Sequence, residues 1–383
     1  MNKNLTYIII LLLFGSPLRS ETVRVSIFNE HSLSAFVICP DRGNYQLAAD
    51  GRELIIISED ELLYVSMIGD KLLLSNQHGP KGIFSTVSFT AIEEDNGFSI
   101  RPVNPSMAKA YYHGSLDLSV KFERINIINF LSEDLYLAGV VEAESGTIAP
   151  YVYYKAQAII CRTYLYGNIH RHSDEGFHLC DEVHCQVYKG RLTSDASIFD
   201  AVTATSGKVI TYEDSGLITA AFHSNCGGQT VNSEAVWLIH RHYLRSVKDP
   251  YCRERHNAIW QTRLDIKKWE AYLVSLGLDS ANKPADYQDF AYRQYDRNVL
   301  YRVNGFEIPF IKLRSDWNFK SAYFDVEVPN PGQELVIRGR GYGHGVGLCQ
   351  EGAMEMAARG YNFIEILQFY YTNVKVTDID DLF

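Results

Sequence analysis

Long hydrophobic runs are almost missing from this chain of 383 residues. The one that exists, Tyr7 to Phe14, follows Lys3 and precedes Gly15, Ser16 and Ser20. It is too short to span a bilayer comfortably and has the form of a signal-peptide core, so export with cleavage after Ser20 is expected, placing the protein in the periplasm or cell envelope. Leu18 fits poorly three positions before that cut, so an uncleaved N-terminal anchor stays open as the one expected attachment to a membrane. Positive charge is also short: 36 Lys and Arg stand against 46 Asp and Glu, a formal net charge of -10. That balance argues against nucleic acid or an anionic membrane surface as the main partner, and an anionic ligand would need a local basic pocket. Internal repeats and low-complexity segments are missing too. Hydrophobic content of 46% with 21% charged residues is that of an ordinary folded protein, and the length allows two domains or one elaborated one. The 25 Tyr and 19 Phe suit stacking on sugar rings or a strand-rich core equally well. Cysteine is present in an odd number, seven, so at least one is unpaired, metal-bound or intermolecular.

From Val23 to about Phe122 the pattern is one of short strands, VRVSIF, SAFVIC, ELIII, ELLYVSMI and KLLLS, separated by turns such as DRGN, ADGR and IGDK. This predicts an antiparallel β-rich module over 21–110, with EEDNGFSIRPVNPSMAKA as the boundary loop. AYYHGSLDLSV and RINIINFL resume as strands leading into LYLAGVVEAESGTIAPYVYYKAQAIICRTYLYGN, which reads as two helices joined at Gly146 and Pro150. At 100° per residue, Leu137, Val140, Val141 and Glu144 share one stripe and Glu142 points away, so Glu144 is expected partly buried and Glu142 exposed. A carboxyl half-desolvated at a helix joint can hold a proton near neutrality and give it to a leaving group. The other reading is a helix-end Glu that snorkels to water or pairs with Lys155 or Arg162, and on this stretch alone that reading leads. Beyond it, Thr193 or Ser194 is expected to cap a helix that Gly207 ends, and KVITY with LITAAFHSN reads as a hairpin around Asp214–Gly216. Residues 253 to about 300 read as helical filler without chemistry. ELVIRGRGYGHGVGLCQEGAMEMAARGYN reads as strand, glycine loop and helix, followed by the short helix NFIEILQFYYTN. The fold class expected is α+β.

Four further stretches carry chemistry. HRHSDEGFHLCDEVHCQVYKG crowds His170, His172, His178, Cys180, His184 and Cys185 together, a density that suits tetrahedral zinc, although the spacing is that of no standard zinc finger. The expected ligands are His172, Cys180, His184 and Cys185 with His178 in reserve; the alternatives are a Cys180–Cys185 disulfide or solvated histidines. AFHSNCGGQT exposes His223, Ser224 and Asn225 beside glycines, and GRGYGHGVGLCQEGA places His344 in a glycine loop with Gln350 opening a helix. The latter is no phosphate loop, since no Gly-Lys-Ser/Thr follows. SEAVW offers Trp237 as a sugar-stacking platform or as core, with core slightly favoured. Three remote segments that each expose polar groups beside glycines predict one cleft in which the His223 and His344 loops flank the Glu144 helix. Cys226 is expected to pair with Cys349 or Cys252.

Taken together, YLAGVVEAES, YVYYKAQAIICRTY, LCDEVHCQVYKG, FHSNCGGQT with SEAVW and YLRSVKDP, GYGHGVGLCQEGAMEMAARG and ILQFYY resemble the SpoIID/LytB (stage II sporulation protein D) family of peptidoglycan-lytic proteins, in the family's order from about residue 111 to 376. The resemblance implies a catalytic domain over 111–383 and an exported lytic transglycosylase acting on glycan strands stripped of stem peptides. It maps the catalytic Glu to Glu144 and the zinc-bearing loop to His172–Cys185; a structural zinc is expected there, because two thiolates fill positions a catalytic zinc would leave open. Ser145-Gly146 replaces the Met-Pro of many relatives, and Cys226 and Cys349 stand where Ser is common. Glycosidases in general need two carboxylates. A lytic transglycosylase needs one, because the muramic 6-hydroxyl closes a 1,6-anhydro ring in place of water. Substrate contacts are expected from Lys155, Arg162, Gln186, Tyr188, His223, Ser224, Asn225, His344 and Gln350, meeting the anionic lactyl groups with local donors. The competing readings are a non-catalytic glycan-binding enhancer of a cell-wall amidase and a zinc hydrolase using the His/Cys cluster.

Overall fold

A computed structural model describes residues 22–93, 95–192, 196–213, 216–279, 286–330 and 333–382. The signal or anchor segment, the Thr193 or Ser194 cap and Asp214 of the hairpin turn lie outside the described residues. The fold is α+β, as the alternation of strand and helix patterns suggests.

Two largely antiparallel sheets make the N-terminal half. One runs Leu179–Cys180, Thr22–Ile27, Arg124–Ser132, Ser115–Lys121, Thr86–Ala91, Tyr45–Ala49 and Arg52–Ile57; the other runs Ala110–His113, Gly97–Asn104, Ala35–Arg42, Leu63–Ile68, Lys71–Asn76 and Gly79–Phe84. Strand alternation does the sorting: Val23, Val25 and Ile27 turn into the core with Phe36, Ile38, Leu63 and Val65. The stretch read as a boundary loop is instead a strand with a neighbour on each side, Gly97–Asn104. Its prolines mislead, because Phe98 and Ile100 already alternate inward, and Pro102 and Pro105 sit toward and beyond its far end. Strands before and after residue 110 share both sheets.

Helix α1 (Glu133–Ser145) follows the last of these strands directly. Ser132 Oγ accepts from the Leu135 amide at 3.4 Å, Glu133 and Asp134 favour the first turn, and Gly146 closes the helix at φ 69° with its N–H on the Glu142 carbonyl at 2.9 Å. Helix α2 (Tyr151–Asn168) packs on α1 and runs through the core on Tyr153, Tyr154, Ile159 and Ile160. Helices α3 (Ala196–Thr203) and α4 (Glu234–Trp237) follow. Lys208–Tyr212 pairs chiefly with Val374–Asp378, so the expected hairpin reduces to a single bridge between Thr211 and Leu217.

A second core sits between Ile259 and Arg340, a range whose first part, to about residue 300, sequence suggests is filler. Strands Ile259–Asp265, Glu334–Arg340 and Phe324–Asn330 form a sheet covered by α5 (Ile266–Ser275) and α6 (Phe310–Asp316), with Trp269, Tyr301, Phe310 and Phe324 inside. The glycine loop then leads into α7 (Gln350–Ala358) and α8 (Phe363–Tyr370).

Gly139 shows how tightly α1 is seated. A Cβ there would lie 2.3 Å from the Gly190 carbonyl and 2.7 Å from the Tyr188 ring. Alanine favours a helix by about 1 kcal/mol, yet overpacking costs about 1–3 kcal/mol. Gly139→Ala is therefore expected to lower the urea midpoint, and a midpoint at or above wild type would show that the contact with Gly190 yields.

Candidate functional site

Glu144 lies one residue from the end of α1, half-buried, where the chain turns at Gly146 before entering α2. The joint is pinned by Tyr154, whose hydroxyl accepts from the Ala149 amide at 3.0 Å, and by the Ser145 hydroxyl on Tyr153 at 3.3 Å. One carboxylate oxygen of Glu144 accepts from the Val187 amide at 3.2 Å. Burial pushes the carboxyl above its ordinary range; the Val187 amide and the charge of Lys189 offset only part of that shift. Glu142 is half-buried rather than exposed, because α1 is covered on more than one side by α2, α3 and the sheet.

A cleft of about 500 Å³ opens at Glu144 and is lined also by Ser145, Ile148, Ser224, Glu254, Arg255, His256, Asn257, Gln350, Glu351 and Met354. Two remote segments pair in parallel, Phe222–His223 against Leu348–Cys349, and so bring the residues that follow them, Ser224 and Gln350, to the cleft together. The pairing needs a close backbone approach: a Cβ on Gly347, at φ 70°, would stand 2.1 Å from the Ala221 carbonyl. Gln350 then opens α7 and donates from Nε2 to the Glu144 carbonyl at 3.0 Å, tying the glycine-loop helix to the end of α1. Glu351 is also in the cleft, but its carboxylate is engaged: Asn225 and Asn257 side-chain amides each donate at 2.7 Å, and the Asn257 backbone adds bonds of 3.2 and 3.3 Å. Glu254 is exposed.

Of the residues expected around substrate, Glu144, Ser224 and Gln350 line this cleft together. The others do not. Arg162 is fully buried, donating to Glu133 and to the carbonyls of Thr205, Val202 and Lys208. Lys155 lies over the Tyr151 ring at 4.7 Å. Gln186 and Tyr188 are buried, Gln186 donating to the Cys161 carbonyl and Tyr188 to Asn129. Asn225 is buried and holds Glu351 and the Cys252 carbonyl. His223 is buried, with Nδ1 on the Val346 carbonyl at 3.1 Å, and burial depresses its pKa. His344 is pushed down to about 4 by the same cause, so both imidazoles are neutral at pH 7 and offer no cation. Their rings lie 5.4 Å apart, and Trp237, 38% exposed rather than core, lies with its ring tilted 5.3 Å from that of His344. The basic groups that do reach the cleft are Arg255 and His256, in the polar loop read as filler. Nothing in RERHN separates it from an ordinary surface loop; only the fold brings it to Glu144.

In the thiol–imidazole loop, donor atoms of His172, Cys180, His184 and Cys185 all lie within 4.8 Å of one another. Cys185 Sγ is 3.4 Å from His172 Nε2 and 3.6 Å from His184 Nδ1, and Cys180 Sγ is 3.8 Å from His184 Nδ1. A tetrahedron built on bonds of about 2.0–2.3 Å has edges of roughly 3.3–3.8 Å, so the set is spaced for such an ion. Glu175 holds His172 Nδ1 at 2.5 Å, orienting Nε2 inward, as carboxylates behind ligating imidazoles do. A hydrogen bond from Cys180 holds the Cys185 thiol down at about 6. His178, the reserve ligand, is turned away onto Arg24. None of the four lines the cleft, yet Cys185 stands two residues before the Val187 amide that meets Glu144. All seven cysteines are free; Cys226 Sγ is 3.4 Å from Cys252 Sγ, well beyond the ~2.05 Å of a disulfide. The expected bridge from Cys226 is therefore not formed.

A family model described as Stage II sporulation protein (SpoIID) matches residues 121–212, from the last N-terminal strands through α1, α2 and the thiol–imidazole loop to Lys208–Tyr212. Stage II sporulation protein D of Bacillus subtilis is 29% identical over 269 residues, covering 64% of this chain and 74% of that protein. An uncharacterized protein of Brachyspira hyodysenteriae is 27% identical over 303 residues, 75% of this chain and 76% of its own. The amidase enhancer of B. subtilis is 27% identical over 293 residues, 63% of this chain and 40% of its own. The matched segment carries both Glu144 and the thiol–imidazole loop, so it is over these residues that the chain is similar to the SpoIID family.

Proposed function

We propose that this protein is an exported lytic transglycosylase of the cell envelope, cutting peptidoglycan glycan strands already stripped of stem peptides, with Glu144 as its single general acid and base. The observation that carries the reading is the position of Glu144: a carboxyl raised by burial, at the wall of an open cleft, beside a second carboxylate, Glu351, whose oxygens are already engaged. A general acid works best with a pKa near the operating pH, and desolvation moves Glu144 that way. Its proton goes to the glycosidic oxygen as the bond to the muramic anomeric carbon breaks. The resulting carboxylate then takes the proton of the muramic 6-hydroxyl as that oxygen closes on the anomeric carbon. Both steps use one group, and no water is consumed. Arg255 and His256 give the anionic lactyl groups a basic lining in a protein of net charge -10.

His172, Cys180, His184 and Cys185 suit zinc, and two thiolates with two imidazoles fill four positions, which leaves the ion a structural part. What the loop supplies to the chemistry is the Val187 amide on Glu144. Stripping the metal is expected to slow cleavage by about 10–100-fold, with zinc restoring the rate. An unchanged rate in protein shown to be metal-free counts against this coupling.

A relative named amidase enhancer gives the second reading its support: a glycan-binding partner of a cell-wall amidase that cuts nothing. Incubating purified protein with denuded strands, without amidase, separates the two. Shortened strands support the enzyme, and bound but intact strands support the enhancer.

A further inference from the structure

We propose that Cys226, Asp249, Cys252 and Cys349 form a second metal site, a buried thiolate-rich site for a divalent cation of the zinc class, on the segments that carry the lining of the Glu144 cleft. All four side chains are buried, and their ligand atoms lie within 4.8 Å of one another. Cys226 Sγ stands 3.4 Å from Cys252 Sγ and 3.2 Å from Asp249 Oδ2, again within or close to the roughly 3.3–3.8 Å edges of a tetrahedron around such an ion.

A disulfide explains the cluster less well. One bridge among three thiols leaves the third over, and it leaves the Asp249 carboxylate, 0% exposed, with no cation. Among the described residues no Lys, Arg or His pairs with Asp249; the nearby Arg297 donates to the carbonyls of Cys226, Gln229 and His344. A buried carboxylate without a counter-charge is costly, and a divalent cation supplies one. The surrounding hydrogen bonds are those that orient ligands: Tyr370 Oη donates to Asp249 Oδ2 at 2.9 Å, the Tyr251 amide to Oδ1 at 2.8 Å, and the Cys226 amide to Cys349 Sγ at 3.2 Å. On binding, each ligating thiol gives its proton to solvent. The ion would join three walls of the cleft, since Cys226 follows Ser224, Cys252 precedes the Glu254–Asn257 loop and Cys349 precedes Gln350. The inference rests on none of the glycan chemistry.

The test counts metal in protein purified under reducing conditions. A Cys180→Ala/Cys185→Ala variant lacks the thiols of the thiol–imidazole loop. It is expected to retain about one zinc per chain, and Co(II) exchanged into it should show the near-ultraviolet charge-transfer absorption of thiolate ligation. Adding Cys252→Ala should abolish both signals. Metal-free variant without that absorption overturns the proposal, as does a Cys226–Cys252 bridge found by mass spectrometry of the unreduced protein. Should the variant fail to fold, Cys252→Ala alone decides: a loss of about one zinc per chain relative to wild type supports the second site, and an unchanged zinc count overturns it.

Discussion

Glu144→Gln is expected to slow glycan cleavage by at least about 10²–10⁴-fold while strands still bind. The amide keeps the shape of the side chain and can still meet the Val187 amide through its oxygen, but it has no proton to give and none to take back. The same change should leave the protein at least as stable as wild type at neutral pH. Burial raises the Glu144 carboxyl in the folded state, so its proton is held more tightly folded than unfolded. The stability this contributes is complete below the unfolded pKa and is lost as pH rises through the folded one; above that, the native state carries a half-buried charge that Gln removes. The wild-type rate should fall over the same interval, as the acid loses its proton. Glu142→Gln, one charge removed from the same helix outside the cleft lining, is expected to cost little activity. A strand-cleavage assay across pH, with melting curves of both variants, checks each point; an unfolded Glu144→Gln protein or a near wild-type rate would count against the assignment.

The second large effect is on stability, at Arg162. Its guanidinium is fully buried and spends its donors on Glu133 and the carbonyls of Thr205, Val202 and Lys208, joining α1 and α2 to the end of α3 and the strand Lys208–Tyr212. Tyr166 holds the other Glu133 oxygen at 2.6 Å. Arg162→Ala leaves Glu133 buried without its cation and takes one donor from each of three carbonyls, two of which keep a backbone N–H, and breaking a buried pair in this way costs about 3–5 kcal/mol. Arg162→Lys should recover only part, because an ammonium cannot spread its donors over four acceptors in one plane. Denaturant unfolding measures both. A loss below about 1 kcal/mol, the range of exposed ion pairs, would show that the network relaxes around the gap.

Arg162 also marks where sequence reasoning runs out. The helix carrying Glu144 was legible because its stripe of Leu137, Val140 and Val141 repeats at helical period, and the glycine loop was legible because closely spaced glycines announce close backbone approach. Many strands of the N-terminal sheets could be read from alternation; Tyr45–Ala49, Gly79–Phe84 and Thr86–Ala91 were not, and Pro102 and Pro105 disguised Gly97–Asn104. Which polar residue serves the site was not legible. Arg162, Asn225, Gln186 and Tyr188 carry donors that suit a glycan and are consumed by the scaffold, while Arg255, His256 and Asn257 look like surface and face Glu144. The difference is set by pairings over long separations, such as Phe222–His223 with Leu348–Cys349, that leave no local trace. The histidines misled for a related reason: His223 looks exposed beside its turn, yet its ring is buried against the Val346 carbonyl and beside half-buried His344.

The decisive measurement is mass spectrometry of the products released from denuded glycan strands by wild-type and Glu144→Gln protein. A transglycosylase with Glu144 as sole acid and base gives chains ending in 1,6-anhydro-muramic acid with wild type and none with the variant. Reducing ends from wild type, anhydro ends at undiminished rate from the variant, or strands left intact by both would contradict it.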